Sequence, residues 1–275
     1  MWASPPFLYP PLQSPFVAAL SAVSVVTGAS ICVSELRGEN MAYSKFAHVM
    51  AAAGGWEKQR RPGTVLPSRV GMLVAYAPAL LAVLASFAVT GAADSLRGRL
   101  LGVTLAVHFL KRVLEVLFVH RYSGSMPLAS AVTVSTGYLL NSVMMIYTQH
   151  LTRGLTDPAV NLLYPGVLVF AVGVTGNFYH HLLLSRLRAR TGDNGTKGYK
   201  IPRGGLLELV GCPHYLFEIV VFLGFAMIAQ TVFALAVAIS TTVYLVGRSC
   251  ATRRWYASKF EEFSTRIKAL VPYVL

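Results

Sequence analysis

The sequence predicts an all-α polytopic membrane protein, one bundle of about seven transmembrane helices. Three observations predict it. Hydrophobic residues make up 55% of the chain and charged residues only 13%. Apolar runs of about 20 residues, the length that crosses a bilayer core, recur along it. Of the 24 Lys and Arg residues, 21 fall in alternate connecting segments and the tail. That asymmetry places basic loops on the cytosolic side, with the N-terminus outside and the C-terminus in the cytosol.

Taken in order, the expected spans are Phe16–Ser34, Val70–Gly91, Leu100–Val119, Ala129–Gln149, Ala159–Leu183, Leu207–Ala226 and Thr231–Gly247. Before the first, Pro5, Pro6, Pro10, Pro11 and Pro15 make an extended lead-in. It lacks a basic n-region and a small-residue cleavage site, so the first apolar run is expected to stay as an anchor. Pro213 and Glu218 interrupt the sixth span. The tail from Arg253 to Phe263 has the period of a short amphipathic helix lying on the membrane. It is either an interfacial anchor or a lid whose Tyr256 or Arg254 closes over a ligand.

A net charge of +13 would suit a nucleic-acid binder, but its placement in alternate loops is a topology signal. The expected partners are therefore the membrane and a lipid substrate, with no nucleic acid. Cys32, Cys212 and Cys250 are scattered without metal spacing or a disulfide framework. No zinc motif, phosphate-binding loop, nucleophile elbow or strand-linked glycine fingerprint occurs, and no metal is expected.

Chemistry is expected where ionisable residues interrupt the apolar spans. A carboxylate at the centre of a membrane helix costs about 2.5–3.5 kcal/mol even on the lenient insertion scale, so it needs a partner or a purpose. His108, Arg112 and Glu115 share one helical face, and Lys111 lies one turn before Glu115. Asn177, His181 and Arg188 form a second stripe; His214, Tyr215 and Glu218 form a third. Three such faces turned inward would build a polar, basic pocket suited to a phosphate-bearing ligand. The bland alternatives are snorkelling arginines, a buried structural His108 and a Glu115 that only neutralises Lys111.

Several of these residues stand in recognisable strings. They are His108-Phe109-Leu110-Lys111-Arg112, Leu117-Phe118-Val119-His120-Arg121, Gly176-Asn177, Tyr199-Lys200-Ile201-Pro202-Arg203-Gly204-Gly205, Cys212-Pro213-His214-Tyr215 with Glu218, and Trp255-Tyr256. From about Leu105 to the C-terminus the chain resembles the steroid 5α-reductase family, and also the related very-long-chain enoyl-CoA reductases. The division is then a loosely matching 1–104 and a reductase region 105–275, in one continuous bundle. The resemblance implies an endoplasmic-reticulum membrane enzyme. It would use NADPH to saturate a carbon–carbon double bond conjugated to a carbonyl. It also implies cofactor contacts at Arg112, Asn177, His181, Arg188, Tyr199, His214, Glu218 and Tyr256. His181 stands where the steroid enzymes place an acid, and His214 where they place Asn.

The substrate end departs from the family. Val74-Ala75-Tyr76-Ala77-Pro78 holds no carboxylate, and Phe109 replaces a Tyr. Phe109 and Tyr122 are the expected substrate contacts, and the catalytic proton donor falls to Tyr215 or Tyr76. A 3-oxo-Δ4 steroid is the first expectation for substrate and a trans-2-enoyl-CoA the second. A non-catalytic lipid-binding protein on the same scaffold is the rival.

Overall fold

The computed structural model describes residues 5–41, 46, 63–89, 95–122, 124–189 and 200–275, the side chains of 188 and 189 excepted. Seven helices of 17 residues or more stand among them: α1 (Pro15–Arg37), α2 (Ser68–Ser86), α3 (Leu96–Leu114), α4 (Leu128–Leu151), α5 (Leu163–Ala189), α6 (Pro213–Ala229) and α7 (Val232–Lys259). A π-helical turn, Glu115–Val119, prolongs α3. Five of the seven (α1, α2, α4, α5 and α7) are long and apolar enough to cross a membrane. α6 is shorter, at 17 residues, and α3 carries Arg97, Arg99, Lys111 and Arg112. The chain is an all-α, multi-pass membrane protein. Large apolar side chains such as Leu81 and Leu168, 65% and 66% exposed, face outward where lipid would cover them.

Local chemistry explains the helix ends. Ser14, Ser95 and Thr231 accept from backbone N–H groups of the first turns of α1, α3 and α7. Gly38, at φ 89°, closes α1 in the left-handed conformation that glycine reaches without strain. α5 and α6 form the most extensive contact in the bundle. It depends on glycines: a Cβ on Gly173 would come 2.7 Å from Val221 N, and one on Gly224 would come 2.8 Å from Phe170 Cα.

The boundaries correct the sequence reading in four places. α5 starts at Leu163 rather than Ala159, where the Asn161 side chain takes the Leu163 N–H. The sixth helix begins at Pro213, not Leu207; Leu207 belongs to a 3-10 turn, Gly205–Glu208. Proline lacks the N–H that a first helical turn leaves unused, so it favours that start. α2 ends at Ser86, with Gly91 outside the described residues. The tail forms no separate surface helix: α7 runs unbroken to Lys259, past the expected end at Gly247. Arg248 and Arg254 hold it against α1, the first bonding Glu35 at 2.7 Å and the second the carbonyls of Glu35 and Leu36. Arg254 is therefore a helix cap rather than part of a lid.

Two short strands were not anticipated. β1 (Val65–Pro67) pairs antiparallel with β2 (Ser125–Pro127), Leu66 opposite Met126. Each strand ends in a proline from which the next helix starts, so α2 and α4 set off side by side.

The opposite end is tied by Gln230, fully buried at φ 51° in the α6–α7 turn. Its side chain accepts from Arg97 (2.7 Å) and Leu162 N (2.9 Å), and donates to Phe7 O (2.6 Å) and Val160 O (2.8 Å). All four hydrogen-bonding sites of one amide are used.

Candidate active site

Four helices deliver charged and polar groups to one layer. α3 supplies Lys111, Arg112 and the first residue of its π turn, Glu115; α5 supplies Asn177 and His181; α6 supplies Glu218; α2 supplies Tyr76. The 3.6-residue period is responsible within each helix, and the glycine-mediated approach of α5 to α6 closes the gap between them.

Glu115 is 1% exposed and sits at the centre. Its carboxylate accepts from Lys111 Nζ at 3.0 Å and from Arg112 Nη1 at 3.1 Å. His181 Nδ1 lies 3.0 Å from both of its oxygens. The same Nδ1 lies 3.1 Å from Arg112 Nη1. It can donate to the carboxylate or accept from the guanidinium, not both, so the tautomer sets the bonding. Lys111 also donates to Asn177 Oδ1, and Asn177 Nδ2 donates to Glu218 Oε2 (3.0 Å) and to the His214 carbonyl (2.8 Å). Arg112, Asn177, His181, His214 and Glu218 thus meet.

The charges balance. Two cations, Lys111 and Arg112, face two carboxylates, Glu115 and Glu218, when the histidines are neutral. Such a layer is tolerable in a low-dielectric interior because each charge has a hydrogen-bonded partner. Glu115, His120 and His181 also bring potential metal-ligating atoms within 4.8 Å of one another. The Glu115 carboxylate is already held by Lys111 and Arg112, and a divalent cation would have to displace both.

Arg112 links this layer to an aromatic wall. Its Nη2 donates to the Tyr76 hydroxyl oxygen, and the guanidinium lies 4.5 Å from the Tyr76 ring centre. Tyr138 packs on Tyr76 at 5.4 Å and on Phe109 at 5.5 Å. Tyr122 stands edge-on to His120 at 5.6 Å. Beneath them His108 is fully buried among Phe109, Phe222 and Phe225, with Nε2 3.6 Å from Glu218.

The remaining expected residues make other contacts. Tyr215 packs against the cluster of Ile219, Leu245 and Leu270, and its ring stands 4.2 Å from that of His214, itself 5.6 Å from the His181 ring. Tyr256 stacks on Phe260 and Phe263 inside the tail. Tyr199 and the Arg188 side chain lie outside the described residues. Sequence reasoning put Glu115, with Lys111 a turn before it, on an inward face but gave neither a cofactor or catalytic role, and it gave His120 and Tyr138 no place in the site. The i, i+4 pairing of Lys111 with Glu115 was legible, but the cross-helix partners were not.

Near the Pro202-Arg203-Gly204-Gly205 turn, the surface holds a groove of about 630 Å³. Arg203, Arg266 and Lys268 line it together with Glu208 and Glu262. The tail builds one wall by pairing with the approach to α6: Lys268 N donates to Leu209 O and Gly211 N to Lys268 O.

Comparison with known proteins decides the family. Residues 125–275 match the family described as 3-oxo-5-alpha-steroid 4-dehydrogenase. The chain belongs to that family. It is 30% identical to 3-oxo-5-alpha-steroid 4-dehydrogenase 1 of Macaca fascicularis over 271 residues, 94% of each chain. The human protein of that name is 31% identical over 217 residues, 76% of this chain and 81% of the relative. Very-long-chain enoyl-CoA reductase of Dictyostelium discoideum is 31% identical over 179 residues, 63% of this chain. That match spans 57% of the reductase's own length. In this chain the buried ionic layer falls partly before the matched region, on α3, and partly inside it, on α5 and α6.

Proposed function

We propose that this chain reduces a carbon–carbon double bond conjugated to a carbonyl in a lipid substrate, with NADPH as the hydride source. Membership of a family of oxidoreductases acting on CH–CH bonds supports the reaction class. One observation carries the reading further: the Arg112–Tyr76 contact, where the ionic layer meets an apolar aromatic wall. A reductase of this kind needs both environments in contact, one for a charged dinucleotide and one for a lipid.

The residues fit a dinucleotide on their chemistry. Asn177 and Glu218 offer acceptors, and Arg112 and Lys111 offer cationic donors. Arg203, Arg266 and Lys268 put positive charge at the groove for phosphates. When bound, the nicotinamide supplies a hydride to the β-carbon of the substrate.

The protein's task is then to hold charge and deliver a proton. As the hydride arrives, negative charge develops on the substrate carbonyl oxygen. A tyrosine hydroxyl aimed there would stabilise it, and the contact of Tyr76 with Arg112, between the ionic layer and the aromatic wall, favours Tyr76 over Tyr215. Arg112 donates to the Tyr76 oxygen, so that bond uses a lone pair and not the hydroxyl proton. Phe109 and Tyr138 shield the reaction from water. A 3-oxo-Δ4 steroid is the first substrate class. The second, a trans-2-enoyl-CoA, is favoured by the enoyl-CoA reductase relative and by the missing carboxylate at Val74–Pro78.

The purified protein is tested with NADPH and a panel of enones and enoyl-CoAs, following the nicotinamide absorbance. Oxidation with at least one member is expected. None, beside an active relative, together with no NADPH binding by calorimetry, would leave the non-catalytic scaffold standing. The multi-pass chain is also proposed to sit in the endoplasmic reticulum with its C-terminus cytosolic; protease protection of a C-terminal tag in microsomes tests that.

A further inference from the structure

We infer that His180 is a positioning residue. It docks the glycine turn around Leu206 onto α5, so that turn and ionic layer act as one site; this rests on the cofactor reading above. His180 is 3% exposed. Its Nδ1 lies 2.7 Å from the Gly176 carbonyl, which can only accept, so Nδ1 carries the proton. A neutral imidazole has one N–H, and Nε2 is therefore an acceptor. Leu206 N donates to it at 3.4 Å.

Two further contacts fix the arrangement. The ring lies flat against Phe217 of α6, centres 5.3 Å apart and planes 19° from parallel. Gly205, at φ 55°, passes so close that a Cβ would come 3.3 Å from Nε2 and 2.9 Å from the Tyr179 ring. One imidazole therefore contacts α5, α6 and the turn.

The neighbouring residue gives this docking its purpose. His181 turns the other way, to Glu115 and Arg112 in the ionic layer. The turn in its own right carries Arg203 and Glu208 to the wall of the basic groove, with Glu208 Oε1 accepting from Gly204 N at 2.9 Å. Consecutive residues thus hold the two halves of the proposed dinucleotide site. A turn released from His180 would misplace the groove while leaving the reacting end intact.

The test uses the full-length protein in detergent. His180→Phe keeps the ring stack on Phe217 and removes both nitrogens; His180→Gln restores a donor and an acceptor. In His180→Phe, amide hydrogen exchange over residues 204–209 should quicken. KM for NADPH should rise about five- to tenfold with kcat changed less than about twofold, as loss of one buried hydrogen bond implies. His180→Gln should recover most of both. Unchanged exchange and KM in His180→Phe, or a fall in kcat at constant KM, would overturn the inference. If His180→Phe does not fold, His180→Asn takes its place with the same two readouts. Wild-type protein that neither binds nor oxidises NADPH overturns the functional reading, and the exchange data then decide the docking claim alone.

Discussion

Replacing Glu115 with Gln keeps its shape and removes one charge, and the layer it serves makes the outcome calculable. The carboxylate is 1% exposed and holds Lys111, Arg112 and His181 within 3.1 Å. Two cations and two anions become two cations and one anion. Removing one member of a buried pair costs about 3–5 kcal/mol, because the remaining charge stays desolvated without its partner. The Gln carbonyl still accepts one bond, which puts Glu115→Gln at the low end, about 3 kcal/mol. For a chain of this size that is a fall of about 6–12 °C in apparent Tm. Thermal unfolding in detergent, followed by intrinsic fluorescence, reads it directly. The decisive control is Lys111→Met in the same background, which returns the layer to zero net charge. It should recover more than half of the loss, falling short because Asn177 Oδ1 loses its Lys111 bond. An unchanged Tm in Glu115→Gln, or no recovery in the double variant, would refute the charge-balance argument.

Three further outcomes are expected. Tyr76→Phe should lower kcat by about 10²-fold or more, the range for a lost proton donor, while Tyr215→Phe changes it little; equal effects would remove the preference for Tyr76. Gln230→Leu should destabilise by about 3 kcal/mol, because Leu162 N–H and the carbonyls of Phe7 and Val160 lose buried partners; chemical unfolding in mixed micelles measures it. Tyr9, ahead of α1, has its phenol pKa raised above the ordinary 10.0 by burial and by its bond to Asp157. The folded state then holds that proton more tightly than the unfolded state. The stability it contributes is complete below pH 10 and lost as pH rises through the shifted value, and Tyr9→Phe should flatten that alkaline loss.

The fold was legible because membrane helices announce themselves in one dimension. Runs of apolar residues and alternating basic loops need only local sequence, since each span satisfies its own backbone hydrogen bonds. The helix starts were less legible. Pro213 reads equally as an interruption of a span begun at Leu207 and as the first residue of a helix. The β1–β2 pair escaped notice because a three-residue strand has no periodicity to detect.

For the site, sequence determined which faces carry charge. The stripes of His108, Arg112 and Glu115, of Asn177 and His181, and of His214 and Glu218 follow from the helical period alone. Only the tertiary structure decided who meets whom. Lys111 reaches Asn177 across 66 residues of chain, and Arg112 reaches Tyr76 across 36. Tyr76 and Tyr215 are indistinguishable as phenols in the sequence, yet one joins the guanidinium and the other packs against Leu245 and Leu270. Helical rotation fixes where a side chain points relative to its own axis. Which neighbour lies there depends on how closely the helices approach, and glycines such as Gly173 and Gly224 set that distance through contacts that have no local signature.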